Sequence, residues 1–180
     1  MFSQPELPSD TAPPPLPRGT RIALDVGKAR IGVAASDPDG LLAMPVETVR
    51  RGQGDIAKIC QIIADRSALV CYIGLPKHLR GSEGDSAQDA RKFARRLVAA
   101  SGKNSTPIDV SFIDERLTTV SATTQLREAG RKANRQRAVI DQQAAVIILQ
   151  SALDTERMRG QRAGDPLVAK APQAAERGTT

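Results

Sequence analysis

The sequence predicts an α/β protein: a mixed sheet flanked by helices, with elements in the order βββαβαβαα. Three observations carry this. Two alternating, β-prone segments, Arg21 to Val26 and Arg30 to Ser36, are joined by a connection short enough to imply an antiparallel hairpin. An unbroken apolar run, Ala68 to Ile73, stops at Gly74, Leu75 and Pro76, as a central strand buried on both faces does. Strands near residues 70 and 110 each follow a helical segment, which argues for parallel crossovers beside the initial meander.

Gly27 and Lys28 lie in the hairpin connection, and Asp37, Pro38, Asp39 and Gly40 form a turn cluster. Met44 to Val49 makes a third short strand, with Pro45 near its start or on an edge. Asp55 to Arg66 places Ile56, Ile59, Cys60, Ile62 and Ile63 at helical spacing, with Asp55 expected as N-cap. Lys77 to Asp85 reads as a loop. A helix follows from Ser86 to Ala100, with Ala87, Ala90, Phe93, Ala94, Leu97 and Val98 on one side, ending at Ser101 and Gly102. Ile108 to Ile113 alternates as the fifth strand. Thr118 or Thr119 can cap a helix running to Gly130, and Arg131 to Arg137 is a basic, polar stretch. The last helix spans Val139 to Met158. Its centre, Ala144 to Leu149, is apolar all round and is expected to be buried against the sheet.

The ends differ from this core. Residues 1–18 carry Pro5, Pro8, Pro13, Pro14, Pro15 and Pro17 and have neither the apolar nor the basic region of a secretory signal. Proline at that density suits neither a helix nor a sheet interior, so a disordered or polyproline arm is expected. Residues 160–180 lack a periodic apolar face and are expected to be a disordered tail. One folded domain remains, residues 19–159. The longest apolar run, Ala144 to Leu149, is far short of the roughly 20 residues a membrane span requires, and a cytoplasmic protein without membrane contact is expected. Cys60, Cys71 and the single histidine, His78, show no zinc-ligand spacing, and the cysteines read as small buried hydrophobes.

Composition narrows the chemistry. The 180 residues include 26 Lys and Arg against 20 Asp and Glu, a formal charge of +6, yet only three Phe, one Tyr and no Trp. So few aromatics argue against modules that stack bases on aromatic platforms. The positive charge suits contact with phosphates. It also serves to keep a protein soluble.

Several carboxylates fall at comparable positions. Asp25 is near the end of the first strand, Asp114 and Glu115 lie just past the fifth, and Asp141 is in the first turn of the last helix. Ligands of open α/β sheets lie at the carboxyl ends of the strands, so such acids can converge there. Carboxylates with water suit Mg²⁺ or Mn²⁺. Two such ions roughly 4 Å apart stabilise the attacking and leaving oxygens of a phosphoryl displacement. Taken singly, each acid has an ordinary reading: Asp25 as a turn residue, Asp141 as a charge on a helix dipole, Glu115 with Arg116 as a surface ion pair.

Four strings make the set specific. LDVGKARIGVAASD, GLPKHLRGSEGDSAQDARKFA, DERLTT and VIDQQAAVIILQSAL occur in order between Leu24 and Leu153. Together they resemble the four blocks of the YqgF family, also called RuvX, of bacterial RNase H-like nucleases. The resemblance implies a five-stranded mixed sheet flanked by helices. It also implies a metal-dependent nuclease for the 5′ end of pre-16S ribosomal RNA, with resolution of Holliday junctions in branched DNA as the alternative. Carried over by position, it implies Asp25, Glu115 and Asp141 as catalytic metal ligands for Mg²⁺ or Mn²⁺, with Asp114 as the neighbouring possibility for Glu115. Adjacent strand residues point to opposite faces, so one of Asp114 and Glu115 is expected to turn away.

The charge is local. From Arg116 to Val139, six basic residues (Arg116, Arg127, Arg131, Lys132, Arg135 and Arg137) face one acid, Glu128, an excess of five. Lying between Glu115 and Asp141, this segment is expected to grip nucleic-acid phosphates beside the cut, against the alternative of a solvated loop. Arg91, Lys92, Arg95 and Arg96 are spread around a helix and read as a solvated face. Nucleic acid is the expected partner, and the chain is a monomer or homodimer. A two-domain ATPase of the sugar-kinase type needs a second copy of the hairpin that this length does not supply. A non-catalytic nucleic-acid-binding adaptor fits poorly with a full set of acids.

Overall fold

The computed structural model describes residues 16–76, 84–104, 106–114 and 134–167, with the side chains of 134–140 excepted. Six strands form one sheet: β1 (Arg21–Val26), β2 (Arg30–Ser36), β3 (Ala43–Arg50), β4 (Val70–Leu75), β5 (Asp109–Asp114) and β6 (Asp165–Pro166). Among the described residues, three helices cover it: α1 (Asp55–Asp65), α2 (Asp85–Lys103) and α3 (Asn134–Arg159). The strand order is β3-β2-β1-β4-β5-β6. β1, β2 and β3 form the antiparallel meander, and β4 and β5 run parallel to β1.

Strand alternation sorts the core into two layers. Ile22, Leu24, Ile31, Val33, Ile73, Leu75, Val110 and Phe112 cluster with the buried faces of α1 and α2. Ala23, Ala34, Val70, Tyr72 and Ile113 cluster with Ala144, Ala145, Ile148, Leu149, Ala152 and Leu153 of α3. The second layer is thin where α3 crosses β1 and β2, because the strand residues there are small. Cys60 and Cys71 are both buried in the first layer, and burial pushes both thiols above their ordinary value, as expected of unreactive core residues.

Four details differ from the sequence reading. First, the sheet has six strands, not five. The chain continues in order beyond Gly160: Ala163 is buried, Leu167 N–H donates to the Val110 carbonyl at 2.8 Å, and β6 pairs antiparallel with β5. The short pairing covers the outer edge of β5, an edge that would otherwise expose its backbone groups. Second, α3 buries one side only. Val146 and Ile147 are half-buried and border a groove of about 990 Å³ beside the helix. Third, Gly54 is the cap position of α1, and Asp55 is its first residue, buried at 3 % exposure. Fourth, α3 begins at Asn134, inside the stretch read as basic and polar and ahead of the expected start at Val139. Pro45 does sit on an edge strand, opposite Ala34 where the β2–β3 register shifts. Of the expected arm, residues 16–18 are described, and Arg18 pairs with Asp39 at 2.5 Å. The expected helix from Thr118 or Thr119 to Gly130 and His78 lie outside the described residues.

Candidate active site

β1 carries Asp25 one residue from its end, at 6 % exposure. In the antiparallel register with β2, Asp25 stands directly opposite Gly32. Opposed residues of an antiparallel pair project to the same face. The face is the one covered by α3, since the next pair on that face, Ala23 and Ala34, clusters with α3 residues.

Gly32 explains how the helix reaches this point. A Cβ placed on Gly32 would lie 1.9 Å from the Asp141 carbonyl oxygen and 2.4 Å from the Asp141 carbonyl carbon. No side chain fits there, and only glycine allows the backbone of α3 to rest on the strand. Asp141 therefore sits over the cross-strand partner of Asp25, at 8 % exposure. Two buried acidic residues from distant parts of the sequence are thus brought to one patch, at the carboxyl end of β1. The parallel strands β4 and β5 end on the same side of the sheet.

Asp114 is not brought to this pair. It is half-buried and in register with Leu75, whose side chain belongs to the layer under α1 and α2. Its neighbour Ile113 faces α3 instead. Glu115, Arg116, Arg127, Arg131 and Lys132 lie outside the described residues; Arg135 and Arg137 fall in the first turns of α3, with side chains outside the description. Among the described residues, no cluster of three metal-ligating side chains occurs.

The donor set nonetheless fits a hard divalent cation. It consists of carboxylate oxygens, without thiol or imidazole. Asp25 has further interactions, and its Oδ2 is a buried oxygen that accepts no hydrogen bond among the described residues.

Arg51 is a residue that the sequence reading passed over. Its side chain, 15 % exposed, contacts Asp89 and Asp55 and reaches the hairpin that follows Asp25. Neither motif nor periodicity marks it, because its partners are far apart in sequence. In the helical cluster read as solvated, Arg91 stacks over Phe112 at 4.7 Å and Arg96 approaches Asp55 at 3.6 Å, while Lys92 and Arg95 are exposed.

Comparison with known proteins identifies the family. A model described as "RuvX: Holliday junction resolvase" matches residues 19–155. The chain belongs to the RuvX family. It is 53 % identical over 152 residues to a Nocardioides protein named "Putative pre-16S rRNA nuclease", covering 82 % of this chain and 95 % of that one. A Streptomyces coelicolor protein of the same name is 46 % identical over 154 residues, covering 84 % and 90 %. Among solved structures, Thermus thermophilus RuvC in complex with a Holliday junction substrate shares the fold. Its TM-score is 0.53 at 13 % identity, covering 83 % of this chain and 99 % of that one. The chain thus shares the fold of RuvC, with the mixed sheet flanked by helices that the RuvX motifs implied.

Proposed function

We propose that this RuvX-family chain is a divalent-metal-dependent nuclease that hydrolyses phosphodiester bonds in structured RNA, processing the 5′ end of pre-16S ribosomal RNA. The observation that carries the reading is the convergence of Asp25 and Asp141. Neighbouring acids offer the oxygen donors that Mg²⁺ or Mn²⁺ takes, and such an ion serves phosphodiester hydrolysis. The names of the relatives supply the substrate class.

Asp25 and Asp141 would hold the metal, Mg²⁺ or Mn²⁺, with Glu115 as the third carboxylate. When bound, the metal supplies an activated water and neutralises charge on the leaving oxygen. The protein's part is rigid placement: β1 fixes Asp25 within the sheet, and the Gly32 contact fixes Asp141 above it. Arg116, Arg127, Arg131, Lys132, Arg135 and Arg137 would hold the flanking phosphates.

A second reading, cleavage of four-way DNA, is favoured by the family description. One experiment addresses both. Purified protein and an Asp25→Asn variant are incubated with Mg²⁺ or Mn²⁺ and either a 5′-extended 16S precursor or a four-way junction. Outer partners of metal ligands alone are worth 10–100-fold in activity, so loss of a direct ligand is expected to cost about 100-fold or more. Cleavage of the precursor supports the first reading, and cleavage of the junction alone supports the second. Equal activity of wild type and variant defeats both. Charge reversal at Arg131, Arg135 and Arg137 is expected to weaken RNA binding and flatten its salt dependence. Binding curves that superimpose on wild type at every salt concentration would remove the segment from the interface.

A further inference from the structure

The hairpin between β1 and β2 carries Asp25, and its geometry is held from outside the sheet. The Gly27 N–H donates to the Arg30 carbonyl at 2.9 Å, which closes the turn. The Gly27 carbonyl accepts from Arg51 Nη1 at 3.0 Å. The same guanidinium grips Asp89 of α2 in a fork, Nη1 to Oδ2 at 3.0 Å and Nη2 to Oδ1 at 3.2 Å. Its Nε approaches Asp55 Oδ2 of α1 at 3.4 Å, and its plane lies over the Phe93 ring at 5.2 Å. The Arg51 backbone N–H adds a bond to the Ala29 carbonyl at 3.0 Å.

We infer that Arg51 is a positioning residue for the metal-binding carboxylate Asp25, clamping the Gly27 peptide to the starts of α1 and α2. The inference rests on the nuclease reading for its consequence, though its geometry stands independently. Gly27 is two residues beyond Asp25, so the direction of the strand end depends on where the Gly27 carbonyl is held. Arg51 holds it through one hydrogen bond, and Arg51 is itself anchored on Asp89, Asp55 and the Phe93 ring. Asp55 is itself fixed, accepting from Ile56 N–H at 2.7 Å and from Gly52 N–H at 3.2 Å. Asp89, by contrast, is 40 % exposed at its side chain and meets Arg51 through the fork. A guanidinium offers five donors in a plane and serves three acceptors together. A lysine ammonium keeps the charge but is a single point on a flexible stem. Charge alone is thus insufficient, and Arg51→Lys separates clamping from neutralisation.

The test uses the full chain and four proteins: wild type, Arg51→Lys, Asp25→Asn and, as a control remote from the hairpin, Tyr72→Phe. The first readout is amide hydrogen exchange without metal. Arg51→Lys is expected to speed exchange of the hairpin peptide containing Gly27 about 10-fold or more while α3 amides keep wild-type rates. The second is Mn²⁺ binding by calorimetry. Outer-shell partners of metal ligands typically contribute 10–100-fold in affinity, so Arg51→Lys is expected to bind Mn²⁺ about 10-fold more weakly and Tyr72→Phe as wild type. Cleavage by Arg51→Lys is expected to fall in kcat with KM for RNA unchanged. Wild-type hairpin exchange in a folded Arg51→Lys overturns the inference whatever the metal does. So does Mn²⁺ affinity that falls as far in Tyr72→Phe as in Arg51→Lys. Undiminished Mn²⁺ binding by Asp25→Asn sinks the metal reading instead, and hairpin exchange still decides the clamp.

Discussion

Helix α3 buries a carboxylate near each end, and the two are treated in opposite ways. Asp141, near its start, is set over the partner of another acid, Asp25. Glu156, near its end, is 5 % exposed and surrounded by groups that favour its charge. Arg21 Nε donates to Oε2 at 3.0 Å, Arg162 Nη1 donates to Oε1 at 2.8 Å, and the Tyr72 hydroxyl also donates to Oε1. Arg21 is itself buried and donates to the Gly19 carbonyl at 2.5 Å. The two sites are roughly 22 Å apart along the helix, at 1.5 Å per residue. One end joins opposite charges and closes the fold. The other places Asp141 over the partner of a second acid, Asp25, at the end of β1. Burial of a carboxylate is therefore not by itself a mark of function.

The sharpest way to break this contrast is to neutralise both ends. Asp25→Asn is expected to cost cleavage about 100-fold or more while keeping metal-free stability within about 1 kcal/mol of wild type, since active-site groups are seldom optimised for stability. Glu156→Ala is expected to do the reverse. It leaves the Arg21 guanidinium buried beside an empty position and costs about 3–5 kcal/mol in urea unfolding, with kcat near wild type below the unfolding transition. A stability loss under 1 kcal/mol would show the closed end to be dispensable.

Gly32→Ala asks how closely the open end is built. Its methyl would meet the Asp141 carbonyl at 1.9 Å, so α3 must move. Overpacking of this kind costs about 1–3 kcal/mol, and activity is expected to fall further than stability explains. Activity and stability falling in proportion would mean the contact only holds the fold together.

The smallest expected effect is spectroscopic. Tyr72 is the one tyrosine of the chain. Burial pushes its phenol up from the ordinary value of 10.0, and the hydrogen bond to Glu156 and the negative charge there push it further. A folded value above the unfolded one gives stability that is complete below pH 10 and lost as pH rises beyond it. Absorbance of tyrosinate is expected to stay silent through pH 10 and to appear with alkaline unfolding. Ionisation near pH 10 in the folded protein would contradict the buried network.

Much of this was legible in the residues themselves. The β1 and β2 boundaries follow from alternation, and Asp25, Gly27 and Gly32 stand together in one string. Asp141 was marked by its place at the start of the apolar helix. What periodicity could not supply was register: only the pairing of Asp25 with Gly32, and the helix resting on Gly32, puts the two acids on one patch. Register likewise separates Asp114 from the pair, which alternation alone left open between Asp114 and Glu115. Arg51, Glu156 and β6 were missed because their partners come from distant segments. Asp55 was misassigned because an acid before an apolar period signals a cap equally well when it is a buried ion-pair partner.

The Gly32 contact has one more consequence, for the protein during its synthesis. The hairpin with Asp25 leaves the ribosome early, while the helix that brings Asp141 comes late in the sequence. Until α3 has emerged and settled on Gly32, the nascent chain holds Asp25 without Asp141 above its partner. Under the proposed function, cutting therefore waits until the fold is nearly finished.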